Sequence, residues 1–333
     1  MAYFVKDAVK ILDDFAPKSL AMKWDNVGLQ LGSPEWEINS ILLSLDVTPN
    51  AVEKAIKTNC SMIISHHPMI FKAIKKVTDP MYLKLIENKI AVYCAHTNLD
   101  TIPGGVNTRL AEVIGLKNLR FLTNETGSEH KYIKIFMPDD NFADVKDKIL
   151  RTKAEIININ KLLSGNVEME IAADSFSLPQ LNRIIYKNIE NPRFVVLNSE
   201  RENPGYGLGV IGDLEKPLSL LDFARRIKKV LRVPGLRCWP GKYDLDKQIK
   251  TVALCGGSGT SVLKNAMGNA DVFVSGDFTY HTILDCRMPL IDAGHFYTEN
   301  PVLQVLRIML AELDVNFEYL LPEEHEISKL IVL

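Results

Sequence analysis

The chain has 333 residues, which is longer than one average domain and is typical of a protein with two. Its 47% hydrophobic and 24% charged residues are those of an ordinary globular protein with a sizeable core. The formal net charge of −2 excludes a global electrostatic field that would attract the chain to nucleic acid or an anionic membrane, although a local patch is still able to do so.

Cysteine usage and the N-terminus favour a cytoplasmic protein. The five cysteines are scattered and include no CxxC pair, which indicates reduced thiols. Asp7, Asp13 and Asp14 interrupt the region where a secretory signal requires an uncharged apolar run. No stretch approaches the roughly 18–20 apolar residues of a membrane span, so we expect no membrane partner.

In the first part of the chain, amphipathic helices alternate with apolar strands. A first helix precedes Pro17, because apolar residues recur there at three- and four-residue steps. We expect a loop over 24–32. The predicted strands are 41–45, 62–64 and 90–95, and the predicted helices between them are 52–57 and 81–87. This alternation is typical of βαβ units and of a sheet covered by helices on both faces.

The pattern changes after Gly127 and predicts an inserted domain. Residues 131–199 give the order βαββαβ, which is the split or ferredoxin-like order. The predicted strands are 132–137, 155–159, 167–172 and 193–197, and the predicted helices are 142–150 and 181–189. Because this order is self-contained, we interpret residues 127–204 as an insert.

The first pattern resumes near Gly207. The predicted helices are 218–231 and 301–313, and the predicted strands are 251–255, 272–275 and 290–292. The fold class is therefore α/β, with a discontinuous outer domain formed by residues 1–126 and 205–333.

Four of the seven histidines lie at or just beyond predicted strand ends: His66, His67, His96 and His295. Ligands of open α/β sheets bind outside the carboxyl ends of the strands, so this placement is a first argument for a site. Adjacent strand residues point to opposite faces, so His66 and His67 cannot easily bind one ion but can each bind a different one. Pro68 favours extended geometry at His67. The alternative is one partly buried and one solvent-facing histidine without a ligand.

The other two predicted strand ends supply carboxylates. Asp100 offers the hard oxygen that complements imidazole in metal sites, or else it is a turn or capping residue before Pro103. His96 is a candidate ligand, an outer hydrogen-bond donor or a proton shuttle. His295 and Glu299 are four residues apart and share one helix face, where Glu299 either bridges two ions or is a simple N-terminal helix charge. Three such clusters in equivalent places favour a metal site.

Two further features have simpler interpretations. The glycine-rich residues 255–259 match neither phosphate-binding motif, so close packing of a helix on a strand explains them better than a phosphate cradle. A predicted helix carries a basic face, for which a solvated surface is the favoured interpretation and nucleic acid the weaker one. This face consists of Arg225, Arg226, Lys228, Lys229 and Arg232.

A series of motifs occurs in order along both outer segments. It consists of Trp24-Asp25-Asn26-Val27-Gly28-Leu29, Ser65-His66-His67-Pro68, His96-Thr97-Asn98-Leu99-Asp100, Gly256-Gly257-Ser258-Gly259, Ser275-Gly276-Asp277 with Tyr280-His281, and Gly294-His295 with Glu299. This series resembles the NGG-interacting-factor-three-like family, whose bacterial members are often labelled GTP cyclohydrolase 1 type 2 homologues.

The resemblance implies an α/β fold with a dinuclear metal centre, assembled into a ring-shaped homohexamer. It also implies that His66, His67, Asp100 and His295 are terminal ligands and that Glu299 is the bridging carboxylate. The two divalent cations per subunit are Zn, Fe, Mn, Co or Ni, which the ligands do not distinguish. Longer family members carry an insert that resembles the PII or CutA signalling fold.

Two functions follow from these expectations. The first is a dinuclear metal-dependent hydrolase, GTP cyclohydrolase-like, acting on a purine nucleotide through a metal-activated water, with His96 and His281 as proton shuttles. The second is a non-catalytic metal-binding adaptor or regulator that binds a protein or nucleic-acid partner.

Overall fold

The computed structural model describes residues 2–123, 130–152, 154–174, 177–198 and 205–330. The chain divides into two units, residues 1–123 together with 207–333, and residues 124–206. The boundaries predicted from sequence, 126/127 and 204/205, fall on residues 126, 127 and 204, which lie outside the described ranges.

The first segment of the larger unit alternates short strands and helices. Its strands are β1 (Tyr3–Phe4), β2 (Gly28–Leu31), β3 (Glu37–Ile38), β4 (Ser40–Ser44), β5 (Met62–Ser65), β6 (Ala91–Cys94) and β7 (Lys117–Phe121). Its helices are α1 (Val5–Phe15), α2 (Pro49–Lys57), α3 (Pro80–Glu87), α4 (Thr97–Asp100) and α5 (Val106–Ile114). The two helices predicted at 52–57 and 81–87 begin earlier, because a proline in the first turn follows a capping Thr48 or Asp79 side chain.

The described residues of the smaller unit form six elements in the order βαββαβ. They are β8 (His130–Pro138), α6 (Asp139–Leu150), β9 (Glu155–Lys161), β10 (Asn166–Asp174), α7 (Leu178–Asn188) and β11 (Arg193–Asn198). The strands form an antiparallel sheet in the order β11-β8-β10-β9. Its apolar core packs both helices on the sheet, with Ile135, Met169, Val145 and Ile185 fully buried.

The second segment of the larger unit adds the remaining elements. Its strands are β12 (Val210–Ser219), β13 (Arg237–Trp239), β14 (Gln248–Ser258), β15 (Val272–Gly276), β16 (Leu290–Asp292) and β17 (Asn316–Tyr319). Its helices are α8 (Leu220–Val230), α9 (Leu263–Ala266), α10 (Tyr280–Asp285), α11 (His295–Glu299) and α12 (Val302–Met309).

Two sheets of the larger unit have parallel strands at their centres. One has the order β17-β4-β5-β6-β2, in which only the β2–β6 pair is antiparallel. The other has the order β13-β16-β15-β14-β12-β7, with β14, β15 and β16 parallel. Along β14, Val252 and Leu254 belong to one core cluster and Ala253 and Cys255 to another, so this sheet is covered on both faces.

The loop predicted over 24–32 was wrong for Gly28–Leu31, which forms the edge strand β2. This strand has four residues, is only partly buried and contains a register shift between Leu29 and Leu31, so its sequence lacks the alternation of a regular strand. Strand β12 was also not predicted, because Gly212 and Pro217 interrupt its apolar pattern. No helix within the described ranges has the length and apolar content that crossing a bilayer requires.

Candidate metal centre

The five predicted ligands follow parallel strands at their carboxyl ends. His66 and His67 come directly after β5, where their backbone N–H groups still bond Ser44 O and Leu45 O at 3.3 and 2.8 Å. The chain bends at these two residues, and the two rings lie with centroids 5.1 Å apart and planes at 44°. The strand end therefore presents two separate imidazoles to the space above the sheet.

Helices α4 and α11 bring the carboxylates to the same place. Asp100 ends α4, and its Oδ1 lies 3.5 Å from His66 Nε2. In α11, the four-residue spacing places His295 Nε2 3.1 Å from Glu299 Oε2. The two oxygens of Glu299 face different histidines, because Oε1 is 3.8 Å from His66 Nε2 whereas Oε2 is 3.0 Å from His67 Nε2.

Two groups of these side chains are able to hold metal ions. One consists of His66, His67 and His96, and the other of His67, His295 and Glu299. In each group, the ligand atoms lie within 4.8 Å of one another. The two groups contain four of the five predicted ligands together with His96, whereas Asp100 is in neither group and lies 3.5 Å from His66 Nε2.

Four histidines share one hydrogen-bond pattern, in which Nδ1 faces an oxygen and Nε2 is available to a metal ion. They are His66, His67, His96 and His295. Nδ1 of His66 lies 2.8 Å from the carbonyl oxygen of Ala95, which can only accept, so the ring proton is on Nδ1. The other three Nδ1 atoms face carboxylates: His67 faces Asp46 at 2.8 Å, His96 faces Asp25 at 2.9 Å, and His295 faces Asp277 at 2.7 Å. Such outer oxygens are typical of metal-binding histidines, whose tautomer and orientation they fix.

Unpartnered buried atoms show that the donor set fits a cation. His66 is fully buried and Glu299 is 5% exposed, yet among the described residues His66 Nε2 has no hydrogen-bond partner, and Glu299 Oε2 faces only the Nε2 atoms of His67 and His295, at 3.0 and 3.1 Å. Buried polar atoms without partners are costly and uncommon in native proteins. A lone pair and a carboxylate aimed at one point are the ligands that a first-row divalent metal ion requires.

The electrostatics of the metal-free site point the same way. Burial lowers the pKa of His67, but contacts with Asp46 and Glu299 outweigh it and raise this pKa to about 10. The Glu299 carboxylate raises the pKa of His295 to about 9, although burial opposes it. Burial opposes ionisation of Glu299 as well, but the histidines hold its pKa well below the ordinary value. Without a metal, protonated His67 and His295 therefore balance the negative charge of Glu299. A bound cation would replace these protons.

A glycine turn allows the backbone to approach the centre. Gly257 has φ +60°, and a Cβ there would lie 2.1 Å from Glu299 Oε1 and 2.9 Å from His295 Nε2. Gly256 packs against helix α5 instead, since an added Cβ there would lie 2.8 Å from Val106 Cγ1. Helix packing therefore explains Gly256, whereas Gly257 adjoins the candidate ligands, which the sequence interpretation missed.

The two predicted proton shuttles differ in position. The His96 ring lies 5.3 Å from that of His66 and 5.5 Å from that of His67. His281 is exposed on α10, where its ring contacts Tyr280 at 5.3 Å. Its part in proton transfer stays a prediction.

Sequence reasoning missed the carboxylates behind the histidines. Asp25 and Asp277 stood in the motifs without a role, and His325 carried no signal in the sequence. Asp46 is visible only in the folded chain, because its partner His67 lies 21 residues away. The aspartate following the first apolar run, Ile41–Leu45, was the one available clue.

Comparisons with known proteins extend over nearly the whole chain. The model of the family Duf34/NIF3 (NGG1p interacting factor 3) matches residues 3–325. A GTP cyclohydrolase 1 type 2 homolog of Staphylococcus epidermidis is 32% identical over 96% of both chains, and one from Staphylococcus aureus is 32% identical over 92% of both.

Solved structures agree with these sequence matches. A Bacillus cereus protein related to NIF3 has a TM-score of 0.83, 28% identity and 99% coverage of both chains. Staphylococcus aureus protein SA1388 has a TM-score of 0.73 and 30% identity, covering 95% of this chain and 96% of that one. The chain therefore belongs to the Duf34/NIF3 family.

Proposed function

We propose that this protein is a dinuclear metal-dependent hydrolase that acts on a purine nucleotide through a metal-activated water. One observation carries the proposal: His66, His67 and His96 form one group of possible ligands and His67, His295 and Glu299 a second that shares His67, while the Nδ1 atom of each of these histidines faces an outer oxygen. These residues would hold divalent cations, whose Lewis acidity would polarise a substrate and activate water near neutral pH. Zn, Fe, Mn, Co and Ni all suit this donor set.

We propose that the ligands divide into two sets. His66, Asp100 and Oε1 of Glu299 form one set, and His67, His295 and Oε2 of Glu299 form the other. The distances support this division, because His66 Nε2 lies 3.5 Å from Asp100 Oδ1 and 3.8 Å from Glu299 Oε1, whereas His67 Nε2 and His295 Nε2 lie 3.0 and 3.1 Å from Glu299 Oε2. Glu299 would then bridge the two cations.

His96 is suited to carry a proton. Asp25 accepts from His96 Nδ1 at 2.9 Å and from Thr97 N at 3.1 Å. Burial opposes ionisation of Asp25, but these hydrogen bonds outweigh it and lower its pKa to about 2. The charged aspartate orients the imidazole and holds a proton on its Nδ1 atom. We propose that Nε2 of His96 accepts a proton from the attacking water and returns it to the leaving group.

Exposed aromatic rings beside His96 support a planar substrate. Trp24 is 60% exposed and Phe71 51% exposed, and their ring centroids are 5.8 Å apart. Trp24 also lies 6.1 Å from the His96 ring. A purine ring stacks favourably on such side chains, and the name of the Staphylococcus relatives, GTP cyclohydrolase 1 type 2 homolog, gives the first substrate to test.

Hydrolysis by the metal-loaded protein tests this proposal. Full-length protein loaded with one defined metal is screened against purine nucleotides, GTP included. We expect turnover that Asp100→Ala and Glu299→Ala abolish and that Trp24→Ala reduces mainly through a higher KM. Asp285→Ala, an exposed carboxylate at the end of α10, is the matched control. Equal turnover in folded Glu299→Ala protein would refute the proposal.

The adaptor function is favoured by a different surface. The basic side chains of α8 and Arg232 are exposed, although Arg225 pairs with Asp222 at 3.2 Å. Salt-sensitive binding of single-stranded DNA without turnover of any nucleotide would favour this alternative. Absence of DNA binding at low salt would count against it.

We also propose a ring-shaped homohexamer with a PII- or CutA-like insert. The family membership motivates the ring, and the βαββαβ order of the smaller unit motivates the insert. Light scattering of the purified protein measures the mass, which we expect to be six times that of the chain. A monomeric mass would contradict the ring.

A further inference from the structure

A hydrogen-bonded chain of side chains leads from the C-terminal segment to the candidate metal centre. His325 Nε2 lies 3.0 Å from Asp46 Oδ2, and the other oxygen of Asp46 lies 2.8 Å from His67 Nδ1. His325 and Asp46 are 279 residues apart in sequence. We propose that His325 is a positioning residue for the centre, which acts on the ligand His67 through Asp46.

The tautomer of His325 follows from its other nitrogen. The backbone N–H of Ile327 points to His325 Nδ1 at 3.2 Å, and a backbone amide can only donate. Nδ1 is therefore an acceptor, so the ring proton is on Nε2 and is donated to Asp46. His67 then donates its Nδ1 proton to the same carboxylate, which leaves the Nε2 lone pair of His67 for a metal ion.

Asp46 is held at both oxygens by this arrangement. With one oxygen bonded to His67 and the other to His325, the carboxylate cannot rotate without losing a hydrogen bond. Its side chain is 37% exposed, so water can replace part of what His325 supplies. Removing His325 should therefore lower metal affinity by an amount at the lower end of the range for the hydrogen-bond partners of metal ligands.

The C-terminal segment places His325 firmly. Residue His325 is 8% exposed, and its ring packs on Phe296 with centroids 4.8 Å apart. Strand β17 pairs with β4, after which the side-chain amide of Asn50 donates to Glu324 O at 3.0 Å. Glu324 also pairs with Lys54 of α2. The segment is thus fixed by the β17–β4 pairing and by the contacts of Glu324, which directly precedes His325.

Cobalt binding to the full-length protein tests this inference, which rests on the proposed metal centre. Co²⁺ affinity is measured by competition with a chelator, and the visible Co²⁺ spectrum reports the ligand geometry. We expect His325→Leu to weaken binding about 10-fold and to change the spectrum. His325→Gln places an amide N–H₂ near the position of Nε2, so it should restore most of the affinity and the native spectrum.

Glu324→Gln is the matched control, because it weakens the anchoring of the same segment without touching Asp46. It should bind Co²⁺ like the wild type. Equal loss in His325→Leu and His325→Gln would reduce His325 to a packing residue and overturn the inference, as would unchanged binding in His325→Leu. Failure of the wild type to bind Co²⁺ would instead overturn the metal centre itself, and the inference with it.

Discussion

The outer oxygens behind the histidines determine what each imidazole can bind. A neutral imidazole carries one proton, and an oxygen at Nδ1 keeps that proton away from Nε2. Asp46, Asp25 and Asp277 serve this purpose for three histidines, and the carbonyl of Ala95 serves it for His66. A carboxylate partner also makes the imidazole a stronger base and so a better ligand.

Metal binding should depend on pH because protons and metal ions compete for the same nitrogens. The metal-free pKa values of about 10 for His67 and about 9 for His295 leave both protonated at pH 7. We therefore expect metal affinity to rise from pH 7 to pH 9, with about two protons released per chain at pH 7. Calorimetry in buffers of different ionisation enthalpy counts these protons. Binding that is independent of pH would contradict the site.

Stability of the metal-free protein should show the opposite trend. Both folded-state pKa values exceed the ordinary value of 6.5, so the protonated histidines stabilise the folded state fully below pH 6.5. This contribution is lost as the pH rises through 9 and 10. A urea-unfolding series on metal-free protein should accordingly show stability from these groups falling above pH 6.5.

Gly257→Ala tests the close approach of the backbone to Glu299. The added methyl group would collide with the carboxylate, and alanine at φ +60° costs a further ~1 kcal/mol. Gly268→Ala is the matched control, since Gly268 has φ +79° and nothing within 4 Å of its added Cβ. We expect both variants to lose stability in urea but only Gly257→Ala to lose bound metal. Full metal content in Gly257→Ala would contradict this role.

At the scale of elements, the strand ends were predictable and their neighbours were not. Short apolar runs followed by His66, His96 and His295 indicated parallel strands, and β5, β6 and β16 lie there. The edge strands β2 and β17 carry too few buried residues to show a pattern. Their pairing depends on partners distant in sequence, as in the bonding of β17 to β4.

Helix α11 illustrates why a short motif predicts geometry well. Gly294 precedes it with φ +79°, a conformation that favours glycine, and one helical turn then places His295 and Glu299 on the same face. All of this is local in sequence. By contrast, the contact between His325 and Asp46 requires β17 to lie beside β4, which no local pattern reveals.

At the scale of the whole molecule, the two ends of the insertion meet within the larger unit. The backbone N–H of Leu208 donates to Thr123 Oγ1 at 2.8 Å, and that of Leu122 donates to Gly209 O at 3.0 Å. The smaller unit has its own buried core. The βαββαβ order was visible in the sequence because each of its elements is long and periodic.

Deletion of residues 124–206 tests the independence of the larger unit. A short Gly-Ser linker between Thr123 and Gly207 needs to span little distance, because their neighbours are already hydrogen-bonded. We expect a folded protein with the metal content of the full chain, as measured by circular dichroism and elemental analysis. Loss of metal from a deletion variant that still folds would contradict this expectation.

Metal binding through Glu299 would join segments that are distant along the chain. Elemental analysis of untagged wild-type protein and of Glu299→Ala, both shown to be folded, tests it most directly. We expect about two divalent ions per wild-type chain and nearly complete loss of both in the variant. Equal metal content in the two proteins, or none in the wild type after exposure to excess metal, would contradict it.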